Sequence, residues 1–320
     1  MLAASTITLT IPIWLPIAVA LDLVRGRRRL PVARLLAFAV CWCWIESVGV
    51  FRSFALWAAG RASDHDEHYR LMGWWAGLLM RSLERTTGLR AGIEGLDALT
   101  DGDAIVLCRH ASLGDSLLSG WALASEAEVR PRYVLKRELL VDPCLDIVGL
   151  RVPNHFLDRE SDDSAAELAA IERLANGVGP GVVGVIFAEG TRSNEAKRTR
   201  ALVAMRGRDP ERAARLEGLR YLLPPRPAGT MALLRGAPHA DVVLAWHTGF
   251  DGFDSFGGMI RRLAEPPPPV RFVAHRVPRA DVPSGEGFRT WLDERWLEMD
   301  AEVAEAVNAD QGHRDRAGAE

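Results

Sequence analysis

The stretch VLCRHASLGDSLL, residues 106–118, runs from an apolar segment into His110 and reaches a carboxylate, Asp115, five positions later. The preceding residues AIVLC (104–108) are short, apolar and partly β-branched, as a buried strand requires, and SLLSGWALA (116–124) follows as a helical pattern. On one helix, positions five apart lie about 500° around the axis, so His110 and Asp115 would not share a face. They meet only if His110 sits in the turn after the strand and Asp115 in the first turn of the helix. There the carboxylate can accept a hydrogen bond from one imidazole nitrogen, fix the tautomer, and leave the other nitrogen to act as a base. The usual nucleophile of such a pair is missing: G-x-S-x-G is absent and no cysteine stands as a partner. The nucleophile is therefore expected to arrive with a substrate, as an alcohol.

A second stretch, VIFAEGTRSN (185–194), repeats the plan of an apolar strand followed by charged and glycine-containing residues. Gly190 permits close backbone approach, and Arg192 offers a fork that matches phosphate oxygens. Outward from these two stretches, strand-like runs recur at 132–135, 242–246 and 270–275, and helical patterns at 115–126, 163–175, 209–219 and 286–306. The alternation predicts an α/β fold with a mostly parallel central sheet flanked by helices. EPPPP (265–269) reads as a rigid link before the last strand. The expected organisation is membrane-anchoring helices over 1–60, a catalytic domain over 61–308 and a disordered tail over 309–320.

At 320 residues and 48% hydrophobic content, the chain is long enough for one sizeable enzyme domain with an appendage. A formal net charge of −3 argues against a nucleic-acid partner held by bulk electrostatics. The four cysteines show no C-x-x-C pairing, and the cluster DHDEH (64–68) reads as a polar link, so no metal is expected.

Residues 2–21 carry no charge over about the 20 residues that cross a bilayer core. RGRRR (25–29) follows the apolar run rather than preceding it, which favours an uncleaved anchor over a cleaved signal. The arginines place that side of the anchor in the cytoplasm. The next run, 35–51, includes Glu46 and is read as a re-entrant or interfacial hairpin. Residues 71–84 form an amphipathic helix with two open readings, on the membrane surface or packed on the domain.

Taken together, these motifs resemble the lysophospholipid acyltransferase superfamily. His110 to Asp115 matches its H-x4-D block, Phe156-Leu157-Asp158-Arg159 its second block, and FAEGTR (187–192) its third, with Ala188 in place of proline. DVVLAW (241–246) stands where the fourth block lies but lacks its proline, and Arg109 replaces a common asparagine. VLKREL (134–139) is similar to a segment between the first two blocks. LRYLLPPRPAGTMALL (219–234) and the segment 275–303 resemble the branch containing lysocardiolipin and lysophosphatidic acid acyltransferases.

The resemblance implies an enzyme that moves an acyl group from a thioester to the hydroxyl of a lysophospholipid, lysophosphatidic acid by default, yielding phosphatidic acid. His110 and Asp115 would be catalytic. Arg159, Arg192 and Lys136, with Arg226 by likeness to the branch, would bind the acceptor's phosphate together with Gly190 and Thr191. Glu189 either shapes the loop or contacts the acceptor. Amides near the helix start or around Gly190 are candidates for an oxyanion site. Acyl-CoA or acyl carrier protein would be the donor and no cofactor is needed. The expected location is a bacterial inner membrane with the catalytic domain cytoplasmic. Two other readings stay open: a membrane-bound acyl hydrolase or thioesterase that activates water, and a non-catalytic lipid-binding member of the fold.

Overall fold

The computed structural model describes residues 2–141, 146–158 and 164–317. Strands β1 (Ala91–Glu94), β2 (Ala104–Cys108), β3 (Arg130–Lys136), β4 (His155–Leu157), β5 (Val182–Ile186), β6 (Asp241–Thr248) and β7 (Val270–Val277) form one sheet. Their order is β1-β7-β6-β2-β5-β3-β4. Every neighbouring pair is parallel except β6 and β7. The expected α/β class with a mostly parallel sheet flanked by helices is what the chain adopts.

β2 is buried at all of its positions because it lies between β5 and β6 with helices on both faces. That is why its sequence is a continuous apolar run and does not alternate. On one face Val106 and Cys108 pack with Leu79, Met80 and Leu118. On the other, Ile105 and Leu107 pack with Leu174, Leu233 and Trp296. The parallel strands β2, β5 and β6 end on the same edge, where α/β sheets hold their ligands.

The expected helix over 115–126 begins as an α-helix at Asp115–Gly120 and continues as a π-helical stretch at Trp121–Glu126. Helices Ser164–Ala175 and Pro210–Arg215 lie where the pattern put them. The last helix runs Gly287–Ala317, so it enters the segment expected to be disordered. Its alanine, glutamate and glutamine residues favour helix. Helices Glu195–Arg206, Pro227–Gly236 and Phe256–Leu263 were not among the expected elements, nor were β1 and β4. The polar cluster at 64–68 serves as a helix start. Asp64 accepts the Glu67 amide (3.1 Å), and Arg61 bridges both carboxylates at 2.8 Å.

The N-terminal region departs from its expected form. The first apolar run is two helices, Leu2–Leu9 and Ile11–Val24, broken at Thr10 and carrying Pro16. The run at 35–51 is not a re-entrant hairpin but the middle of one helix, Pro31–Ala58. At 28 residues this helix is about 42 Å long, and among the described helices it alone has the length and apolarity to cross a membrane. The two runs pair antiparallel. Asp22 accepts the amides of Val32 (2.9 Å) and Ala33 (3.2 Å), and Trp44 Nε1 donates to Thr8 Oγ1 (2.9 Å). Glu46 in the apolar run accepts a hydrogen bond from Trp75 Nε1 (2.7 Å) on helix His65–Thr87. That helix buries Leu71, Ala76, Leu79 and Met80, so of its two open readings the structure shows the one packed on the domain.

Candidate active site

The turn between β2 and helix Asp115–Gly120 places His110 Nδ1 2.8 Å from Asp115 Oδ2. The same oxygen accepts the amides of Ala111 (2.6 Å) and Ser112 (2.9 Å), while Ser112 Oγ donates to Oδ1. Burial works to raise the Asp115 pKa. His247 and the hydrogen bond from His110 outweigh it and hold the carboxyl well below its usual range. Asp115 is thus a fixed anion, and His110 Nε2 is the nitrogen left for a substrate. Phe187 stacks at a tilt against the His110 ring, with centroids 4.8 Å apart.

His110 lines a cleft of about 530 Å³ whose walls include Leu113, Leu135, Lys136, Leu157, Phe187, Gly190, Arg192 and Arg226. Beside it lies an apolar pocket of about 80 Å³ lined by Gly49, Leu71, Trp75, Gly120 and Tyr133. The two share Ser116, Leu135 and Leu139. Arg192 Nη1 is buried in the cleft wall with no hydrogen-bond partner among the described residues. Gly190 has φ +70°, and a Cβ there would lie 3.1 Å from Arg226 Nε, so the left-handed turn and the approach of Arg226 both call for glycine.

The acyltransferase family profile matches residues 90–237, which contain this whole cleft. That segment, a little under half of the chain, is similar to the acyltransferase family. No curated protein matches it in sequence. The crystal structure of the 1-acyl-sn-glycerophosphate (LPA) acyltransferase PlsC from Thermotoga maritima has a similar fold, with a TM-score of 0.53 and 19% identity. The likeness covers 84% of this chain and 95% of that one.

His110, Lys136, Gly190 and Arg192 all line the cleft. Arg159 lies outside the described residues. Two others are engaged inside the loop. Glu189 accepts the amides of His110 (2.7 Å) and Leu223 (2.8 Å) and is 2% exposed, so its carboxylate shapes the loop. Thr191 Oγ1 accepts from Lys197 Nζ (3.4 Å). The amides expected to form an oxyanion site also have acceptors. Leu113 and Gly114 donate to Phe253 O (3.1 Å) and Ser112 Oγ (3.1 Å), and Gly190 to Phe187 O (2.8 Å), beside Ala111 and Ser112 on Asp115.

Burial pushes the Glu189 carboxyl up to about 8, against the pull of the His110 and Leu223 amides. A raised folded pKa means that the stability Glu189 contributes is full below about 4.5 and is lost as pH rises through about 8. The stability gap between wild type and Glu189→Gln therefore narrows from pH 5 to pH 9. Denaturant titrations of both proteins across that range check it.

Three further residues support the site without having been assigned a role from the sequence. His247 is buried at the end of β6 with Nε2 3.0 Å from Asp115 Oδ1. Arg109 donates to His247 O and to Asp251 Oδ1 (2.9 Å). Asp300, on the last helix, accepts the amides of Arg220, Tyr221 and Leu222 at 2.8 Å each.

Proposed function

We propose that the acyltransferase moves a fatty acyl group from acyl-CoA to the free hydroxyl of a lysophospholipid, lysophosphatidic acid foremost, at a membrane surface. The observation that carries this reading is the 2.8 Å bond from His110 Nδ1 to a permanently charged Asp115 beside a cleft walled by arginines. His110 Nε2 takes the hydroxyl proton as the oxygen attacks the thioester carbonyl, and Asp115 stabilises the imidazolium that forms. The new C–O bond replaces the C–S bond, and coenzyme A leaves as a thiolate that a proton from the imidazolium neutralises.

Arg192 and Arg226 face the acceptor's phosphate, with Lys136 across the cleft. The apolar pocket beside the cleft is the place for the start of the acyl chain. Leu9, Ile13, Ile17, Leu23, Phe51, Phe54 and Trp57 expose apolar surface on the N-terminal helical pair, which supports attachment to a bilayer next to the lipid substrates. We place that bilayer at a bacterial inner membrane, with the helical pair lying along one face without crossing, so that the arginine cluster at 25–29 and the catalytic domain share the cytoplasmic side.

The test is thiol release from acyl-CoA by the detergent-purified chain with lysophosphatidic acid, with other lysolipids, and with no acceptor. Release that requires lysophosphatidic acid and yields phosphatidic acid supports the reading. Release without acceptor makes the protein a thioesterase, and absence of release with every acceptor overturns an acyl-CoA-dependent transfer. Arg192→Ala is expected to raise KM for lysophosphatidic acid about tenfold or more, the loss of a charge-assisted phosphate contact, with a smaller change in kcat. An unchanged KM in steady-state kinetics would free Arg192 from that role.

A further inference from the structure

Asp115 is held from two sides. His110 Nδ1 and two amides meet Oδ2, and His247 Nε2 lies 3.0 Å from Oδ1. His247 is 3% exposed, and neither ring nitrogen finds hydrogen-bond geometry among the described residues, although Nε2 stands at contact distance from the carboxylate. A buried imidazole nitrogen facing a buried carboxylate is stable only as a donor, since two lone pairs at that distance repel and leave both groups without a partner. Alternation along β6 puts Val243, Ala245 and His247 on one face, and Val243 and Ala245 belong to the core that contains Cys108 and Leu118. His247 thus extends that face to the level of the turn holding Asp115.

Its backbone is also tied down. Arg109, itself 2% exposed, donates to His247 O and pairs with Asp251. The departure at position 109 and the histidine at 247 therefore form one assembly. The ring edge meets Phe250, with centroids 6.1 Å apart. The charged or titratable groups around His247 are Asp115 and His110 from the first turn, Arg109 at the end of β2, and Asp251 after β6. Glu189 acts on Asp115 from the loop after β5.

Resting on the general-base reading of His110, we propose that His247 is a positioning residue for the transfer reaction. It donates to the free oxygen of Asp115, fixes the carboxylate plane, and limits how strongly Asp115 holds a proton on His110. His247 touches neither substrate nor the reacting atoms. Its loss therefore acts on the base and leaves the binding of both substrates intact.

The experiment compares wild type with His247→Leu, His247→Ala, His247→Gln and His110→Ala in the full detergent-purified chain, reading kcat and KM against pH. The leucine and alanine variants are expected to lose about tenfold in kcat, part of what a positioned base supplies, with KM nearly unchanged. The acidic limb of their profile moves to higher pH, because Asp115 with one donor fewer stabilises the His110 cation more. The glutamine variant keeps an N–H donor and is expected to recover most of the loss. A wild-type kcat and acidic limb in either donorless variant overturns the proposal and leaves His247 a packing residue. The two variants differ in volume, so one folded protein suffices for the comparison. Full turnover by His110→Ala would instead defeat the reading beneath the proposal, whatever the His247 variants do.

Discussion

His110→Ala is expected to lower kcat for acyl transfer by about 10²–10⁴-fold, the contribution of a positioned general base, while the melting temperature moves little. The imidazole is anchored through one bond to Asp115 and one ring contact with Phe187, and it lines an open cleft. Its backbone amide, which Glu189 uses, and its carbonyl, which accepts from Ser193 N (2.7 Å), are untouched by the substitution. The loop therefore keeps its shape while the proton acceptor is gone. Asp115→Asn is expected to cost a comparable factor, and the double variant little more than either alone, because the pair acts as a unit. Single-turnover thiol release and thermal melts on the same preparations separate chemistry from folding. Turnover retained in His110→Ala would remove that residue from the reaction.

Trp296→Ala is expected to destabilise the protein by about 3–5 kcal/mol, the usual range for deleting a buried aromatic side chain. That lowers the melting temperature by on the order of 10 °C for a domain of this size. The indole is fully buried in the core formed with Phe288, Leu292 and Met299, and its Nε1 donates to Leu223 O (2.9 Å). Leu223 in turn donates to Glu189, and Glu189 accepts the His110 amide. The same substitution is therefore expected to lower kcat well below the level that unfolding explains. Trp296→Phe keeps most of the volume and loses only the indole bond, so its stability cost is expected to be about 1–3 kcal/mol. Differential scanning calorimetry with activity at a temperature below both transitions measures the two effects. Equal activity per folded molecule in Trp296→Ala would show that the last helix supports stability alone.

The chemistry was legible where it is local in sequence. His110 and Asp115 are five residues apart, and the strand before them and the helix after them leave one geometry in which they meet. The long buried strands announce themselves as apolar runs because both faces are covered, and β2, β5 and β6 were found for that reason. β1 and β4, at four and three residues, are too short to carry a pattern. Helix Glu195–Arg206 buries none of its residues, so it has no apolar stripe to read. The first membrane-like run looked long enough to span, but a break at Thr10 divides it, and the signal for that break was Pro12 in the first turn of the second helix. His247 escaped because its partner Asp115 lies far away in sequence on a neighbouring element. A lone histidine inside an apolar strand, LAWHTGF, was the signal available. Glu189 divided evenly between two roles until the amides of His110 and Leu223 were seen on its oxygens.

The brace on the 219–226 loop bears on how this protein is made. The apolar helical pair and the histidine turn both precede the last helix in chain order. Asp300 and Trp296, which hold the loop that Glu189 grips, come from the last helix. Because a domain folds as a unit, the loop that Glu189 grips gains this support only once the last helix, Gly287–Ala317, has docked. The turn that holds His110 is thus completed from the far end of the chain, through Leu223 and Glu189.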